Sequence, residues 1–293
     1  MPVLNVADIV KVKENIEDKL FKIFPSDTPF VTSLSKRTVK SNNPGWIEKT
    51  LAAPGAVNAV AEGADATVGT ITQGTYRSNY TQILTRTVGV SGTSEAVDKY
   101  GRASELAEGL ADAGVDLMQG LEYSCVGSKQ AGQSTSPMQF ASAQAQIDPS
   151  MKFMTGGAST PITEAALNSA LLATSLSGGR PDTLMINTAD ALTVAGFAGA
   201  SGRTRDFGDS KTLTNAINLY VGANGTVKVV QNRIMASGDS VVYNASNWKL
   251  LVLRPWQRKP LGVTGDSDKV LVVGEYSLQH NVQKASALIR KGT

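Results

Sequence analysis

Residues 41–75 read SNNPGWIEKTLAAPGAVNAVAEGADATVGTITQGT. Glycine, alanine, proline, asparagine and threonine dominate this stretch, and large apolar residues are few. It therefore cannot build a core of its own. A structureless loop of that length is improbable inside a compact domain. Its flanks suggest the alternative: Trp46–Leu51 (WIEKTL) and Tyr80–Val90 (YTQILTRTVGV) are rich in β-forming residues. Two strands flanking a tip predict an extended hairpin. At about 3.3 Å per residue, arms of about 15 residues reach about 50 Å. Such a projection has little to bury against within its own subunit.

Upstream, Ile9, Val12, Ile16, Leu20 and Ile23 recur at three- and four-residue intervals. The spacing predicts an amphipathic helix over 8–24, ended by Pro25. An isolated helix of this length is marginal in water, so the stripe needs a surface, on its own domain or on a neighbouring copy. Downstream, Leu106, Leu110, Ala113, Leu117, Met118, Leu121 and Val126 predict one long helix over about 94–130. Gly101, Gly109, Gly114 and Gly120 each cost about 1 kcal/mol relative to Ala, so packing must hold that helix. Cys125 near its end reads as a small apolar packer.

Residues 131–160 are a turn-rich connection. Thr160-Pro161 offers an N-cap and a first-turn proline for a helix running to about Ser177, where Gly178-Gly179 stops it. Strand 184–187 and helix 189–197 follow. Strands 217–221 and 226–231 flank Asn224-Gly225, a strong hairpin signal. Further strands are expected over 240–243, 248–253, 269–278 and 285–289.

Composition excludes several classes. Of 293 residues 41% are hydrophobic and 18% charged, too apolar and too charge-poor for a disordered chain. No apolar run of about 18 residues exists to span a membrane as a helix. The net charge of +3 is too small for a nucleic-acid-coating protein. Its distribution is uneven: residues 1–150 carry 13 basic and 16 acidic groups, whereas 151–293 carry 15 and 9. Opposite signs in the two halves favour head-to-tail contact between copies. One cysteine allows no internal disulfide, and the N-terminus lacks a secretory signal pattern, so synthesis and folding in a reducing cytoplasm are expected.

The chemistry is sparse. Cys125 and His280 together fall short of a zinc site. His280, the single histidine, sits in the alternating run EYSLQHNVQK and reads as a strand residue rather than a catalytic base. Gly89-Val-Ser91-Gly92 lacks a residue of the nucleophile-elbow spacing. Gly178-Gly179-Arg180-Pro181 lacks phosphate-loop spacing, Gly109 and Gly114 read as close-packing points, and Asp266-Ser-Asp268 lacks the further ligands of a calcium loop. Arg254, Arg258 and Lys259 around Trp256 form either a phosphate-touching patch, a solvated edge or an intersubunit salt-bridge site. No catalytic, cofactor-binding or metal-ligating residue is assigned, and an enzyme is not expected.

The order of elements (arm helix, extended hairpin, long helix, α/β unit, terminal strands) resembles the tailed-bacteriophage major capsid protein of Hong Kong 97 type, an α+β fold. The phrases that carry the resemblance are Thr28-Pro29-Phe30, Leu51–Asp65 (LAAPGAVNAVAEGAD), Asn79–Ile83 (NYTQI), Val90–Asp98 (VSGTSEAVD), Gly225–Arg233 (GTVKVVQNR), Leu253-Arg254-Pro255, Gly265–Lys269 (GDSDK) and Glu275–Leu278 (EYSL). They run in order over nearly the whole chain. The resemblance implies an N-terminal arm over 1–50, an E-loop over 51–92 and a P-domain with its spine helix over 93–155. It implies a compact A-domain over 156–232 and returning P-domain strands over 233–293. It further implies hexamers and pentamers in an icosahedral virion shell around packaged double-stranded DNA. That DNA would be contacted non-specifically, with a portal and a scaffold or decoration protein as partners, no membrane and no cofactor. A different virion role, tail tube or decoration subunit, is the alternative.

Overall fold

A computed structural model describes residues 27–49, 61–65, 73–99, 103–157, 161–200, 219–222, 224–262 and 265–291. The arm helix expected over 8–24 and most of the 50–72 tip lie outside them. A short helix α1 (Pro29–Ser33) leads into strand β1 (Ser35–Thr38). Strands β2 (Gly45–Glu48), β3 (Thr75–Ser78) and β4 (Gln82–Ser91) follow, then helices α2 (Gly92–Ala96) and α3 (Glu105–Glu122). Next come α4 (Ala143–Gln146), β5 (Lys152–Met154), α5 (Glu164–Leu176), β6 (Thr183–Ile186) and α6 (Ala191–Ala200). The chain closes with β7 (Leu219–Gly222), β8 (Gly225–Gln231), β9 (Asp239–Tyr243), β10 (Trp248–Pro260), β11 (Ser267–His280) and β12 (Ala287–Arg290).

Among the described residues the strands form three sheets. The largest has the order β5-β12-β9-β6-β8-β7. Its centre is buried on both faces: Leu184, Met185 and Ile186 of β6 are all fully buried, as a central strand with parallel and antiparallel neighbours requires. A four-stranded sheet, β1-β10-β11-β4, combines the two longest strands with β4, whose residues alternate toward and away from α3. β10 carries two register shifts, between Val252 and Arg254 and between Arg254 and Gln257, which bend the strand. The third sheet is the β2–β3 hairpin alone. One core ties the bodies together. Phe30 of α1 sits 5.3 Å from the Tyr243 ring and 5.8 Å from that of Trp248, so strands of both larger sheets meet the same side chain.

Several expectations are corrected. The helix over 94–130 is broken: α2 ends at Ala96, and α3 restarts behind Ser104, whose hydroxyl accepts from Ala107 N at 3.1 Å. That N-cap competes with helix continuation and wins. Glu95 reinforces the break by accepting from Glu105 N at 3.1 Å. α3 then runs on through a π turn, Tyr123–Gly127. The hairpin is also differently built. Trp46 pairs with Arg77, not with residues 80–90, and β4 instead pairs with β11 over ten residues. The helix expected from Thr160 starts at Glu164, because Thr163 caps it through Ala166 N at 3.2 Å. Its stop holds: Gly178 adopts φ +82°, the left-handed turn that glycine enters freely. The terminal strands divide between the two larger sheets. β10 and β11 join β1 and β4, while β9 and β12 join the six-stranded sheet.

Candidate assembly surfaces

The reactive residue types are spent on the interior. His280 stacks flat on Trp248, ring centroids 3.8 Å apart, and both rings meet the Ser286 hydroxyl, at 3.1 and 3.0 Å. Burial pushes its pKa down to about 3, so the imidazole is neutral. Cys125 is fully buried, and desolvation together with the nearby Glu122 charge raises its thiol well above the usual range. It is an inert packer. Ser91 caps α2 through Ser94 N at 3.2 Å. Asp266 lies against Gly92, where any Cβ would strike its carboxylate. Among the described residues no three His, Cys, Asp or Glu side chains gather to hold a metal ion.

Two buried polar residues organise the frame, and sequence reasoning passed over both. Glu122, at the end of α3, accepts from Phe30 N at 2.9 Å and Val31 N at 2.8 Å, satisfying the first amides of α1. The same carboxylate takes Asn232 Nδ2 at 2.6 Å. Desolvation raises its pKa against the pull of those donors. Asn79 locks the root of the hairpin: Nδ2 donates to Leu278 O at 2.7 Å and Ala141 O at 3.2 Å, and Oδ1 accepts from Ala141 N at 2.7 Å. The only signal in the sequence was a lone acid in the apolar run LMQGLEYSCV, and, for Asn79, membership of the phrase NYTQI.

Beyond that root the chemistry changes. Glu48 Oε1 accepts from Gln283 N at 3.1 Å and its Oε2 pairs with Arg77 at 3.4 Å, which ties the Glu48–Thr75 end of the described ladder to the body. On one face Ile47 and Tyr76 stand directly opposite each other, 73% and 65% exposed. The Tyr76 ring lies across Gly45, and Ile47 across Gly74, where a Cβ would collide. An apolar surface is thus assembled and offered to solvent. Leu176 of α5 and Leu192 of α6 are 80% and 72% exposed. Leu219 and Val221 project from β7, the outermost strand of the large sheet, while Tyr220 between them is buried and reaches Glu164 at 2.9 Å.

The basic residues around Trp256 do not converge. Arg254 pairs with Glu275 at 2.8 Å. Arg258 pairs in register with Val272 on the α3 side, and Lys259 with Leu271, so adjacent cations point to opposite faces. Trp256 packs on Tyr276, centroids 4.9 Å apart, and its amide donates to the Tyr276 hydroxyl at 3.1 Å.

A chain whose one histidine and one cysteine are buried, and whose hairpin displays Ile47 and Tyr76 to solvent, offers a surface for contact with other chains. The comparisons agree. The sequence matches the family described as SU10 major capsid protein over residues 3–293. A major capsid protein of Escherichia phage Phieco32 is 26% identical over 316 residues, covering 90% of each chain. Among solved structures, one from Mycobacterium phage Adephagia superposes with TM-score 0.67 at 12% identity, over 100% of this chain and 99% of that one. The cyanophage A-1(L) capsid asymmetric unit gives 0.66 at 14% identity, over 99% and 98%. The fold is therefore the α+β capsid fold of Hong Kong 97 type, and the chain belongs to the SU10 major capsid protein family.

Proposed function

We propose that this chain self-assembles as hexamers and pentamers into the icosahedral head of a tailed phage and encloses its double-stranded DNA. The observation that carries the reading is the β2–β3 hairpin, whose Ile47–Tyr76 face has no cover among the described residues. Exposed apolar surface on a projection marks a contact site, and in a shell neighbouring copies supply the cover. Residues 1–50 then serve as the arm, 51–92 as the E-loop, 93–155 and 233–293 as the P-domain, and 156–232 as the A-domain. The role is structural, with no catalysis. The portal, a scaffold or decoration protein, and the packaged DNA, touched without sequence preference, are its partners. The chain is made in the host cytoplasm and resides in the virion.

The test removes residues 52–72 while retaining β2 and β3. Circular dichroism of the variant should match the parent, and negative-stain images should show closed shells for the parent only. Normal shells from the deletion variant would refute the E-loop assignment. Tubes or small closed oligomers from the parent chain would point to a tail or decoration role.

A further inference from the structure

The four-stranded sheet has two faces of opposite character. α3 covers one, where Leu84 and Val88 of β4 and Val272 of β11 pack with Ala113 and Leu117. That helix carries Glu105, Glu108, Asp112, Asp116 and Glu122 and no lysine or arginine. On the other face Arg254 stands opposite Glu275, Lys259 opposite Leu271, and Lys269 opposite Gly89. Residues opposite one another in a ladder share a face. This face is open along β4: Ile83 is 52% exposed, and Thr85 and Thr87 are exposed, as is Lys259 on β10. Among the described strands Glu275 is its one carboxylate, held by Arg254 at 2.8 Å and Thr81 at 2.7 Å. Cations thus border a floor of hydroxyl and apolar side chains.

A segment of the opposite sign is left bare elsewhere in the chain. Residues 50–74 contain Glu62 and Asp65 and no base. Residues 61–64 close as a turn in which Ala64 N donates to Ala61 O at 3.1 Å. Gly63 sits at φ +79°, as the third residue of a type II turn requires. All of 61–65 is exposed.

We propose that the turn 61–65 of one copy docks on the open sheet face of another, its two carboxylates held by Lys259 and Lys269. Turn and face are both exposed in the single chain, so they do not meet within it. Lys259 and Lys269 are diagonal neighbours about 7–8 Å apart, and residues three apart around a tight turn stand within about 7 Å. Ala61, Gly63 and Ala64 add no bulk beside the acids, so the turn's backbone can lie close to Thr85 and Thr87. The acids of α3 repel the same turn, which selects the open side of the sheet. DNA suits this face less: strong duplex binding draws on about 6–10 phosphate contacts, and Arg254 is already engaged by Glu275. The contact joins different surfaces on the two copies, the kind that closes rings. It also supplies the head-to-tail attraction expected from an acidic first half and a basic second half.

This contact rests on the reading of the chain as a shell subunit with 51–92 as its E-loop, and the experiment keeps the two apart. Shells built from an equal mixture of isotopically light and heavy full-length subunits are treated with a zero-length carbodiimide and digested for mass spectrometry. Amide links from Glu62 or Asp65 to Lys259 or Lys269 should appear, with mixed-isotope pairs as frequent as same-isotope pairs. Glu62→Lys with Asp65→Lys should lower the yield of closed shells about tenfold or more at low salt, because like charges then face each other. Lys259→Glu with Lys269→Glu should do the same, and the chain carrying all four changes should recover the yield. Links confined to same-isotope pairs would put the turn on its own sheet and overturn the proposal. So would full shell yield from either reversed pair. Normal shells from Lys259→Glu with Lys269→Glu, together with lost binding of a labelled DNA duplex, would give the face to phosphates instead. If the chain lacking 52–72 still forms normal shells, the E-loop reading falls and this contact with it. If that deletion abolishes shells and neither charge reversal does, only the contact falls.

Discussion

The six-stranded sheet and the β2–β3 hairpin use apolar residues in opposite ways. In β6 three consecutive residues, Leu184, Met185 and Ile186, are fully buried, enclosed by strands of the same chain. In the hairpin, Ile47 and Tyr76 are paired in register and left open. The first arrangement lowers the free energy of an isolated subunit. The second yields nothing until another surface arrives, so its stabilisation depends on concentration and assembly. One chain thus holds a body with its own buried core and a hairpin whose apolar face is open among the described residues. The two parts meet at Asn79, whose side chain bonds the hairpin root to Ala141 and Leu278 of the body.

Substitutions in the two parts should separate these stabilities. Trp248→Ala empties the site where Phe30 and His280 pack, and should cost the subunit about 3–5 kcal/mol in a denaturant melt. Acidification probes the same place. The His280 imidazole stays neutral in the fold, with its pKa near 3, against 6.5 for the free side chain. Below pH 6.5 the unfolded chain gains a proton that the folded one refuses. The stability contributed at His280 is thus intact above 6.5 and falls by about 1.4 kcal/mol per pH unit toward pH 3. His280→Phe, which can keep the stack on Trp248, should flatten that slope; parallel slopes for the two proteins would contradict the assignment. Gly274→Ala would bring a Cβ within 2.5 Å of the Trp256 ring and 2.6 Å of Tyr276. Overpacking of this kind costs about 1–3 kcal/mol, read as a shift in the thermal midpoint. The smallest change in subunit melting, within about 0.5 kcal/mol, is expected for Ile47→Asp combined with Tyr76→Asp. In light-scattering assays that same pair should lose shell assembly altogether. A large drop in subunit stability would mean the hairpin face packs on its own chain.

Local signals in the sequence located most elements of the body. Asn224-Gly225 set a hairpin between β7 and β8, and Gly178 ended α5 within two residues of the expected place. What failed was either non-local or a competition between two local signals. The run 80–90 announced a strand, but its partner β11 lies far away in sequence, at 267–280, and nothing nearby encodes that choice. Ser104 falls inside the helix expected over about 94–130, whereas its hydroxyl caps the start of α3. Glu122 stands in the sequence only as a lone acid in an apolar run. Only the fold brings Phe30 N, Val31 N and Asn232 to it, from 92, 91 and 110 residues away. A single histidine and a single cysteine gave the sequence reading no catalytic residue to assign. The expectation that the projection needs neighbours rests on the poverty of residues 41–75 in large apolar side chains.

The most direct test is a cryo-electron-microscopy map of assembled particles that resolves side chains. Ile47 and Tyr76, 73% and 65% exposed in one chain, should lie buried beneath a neighbouring copy. A map of intact shells in which both side chains still face solvent would contradict the division of this molecule into a self-sufficient body and a shared projection.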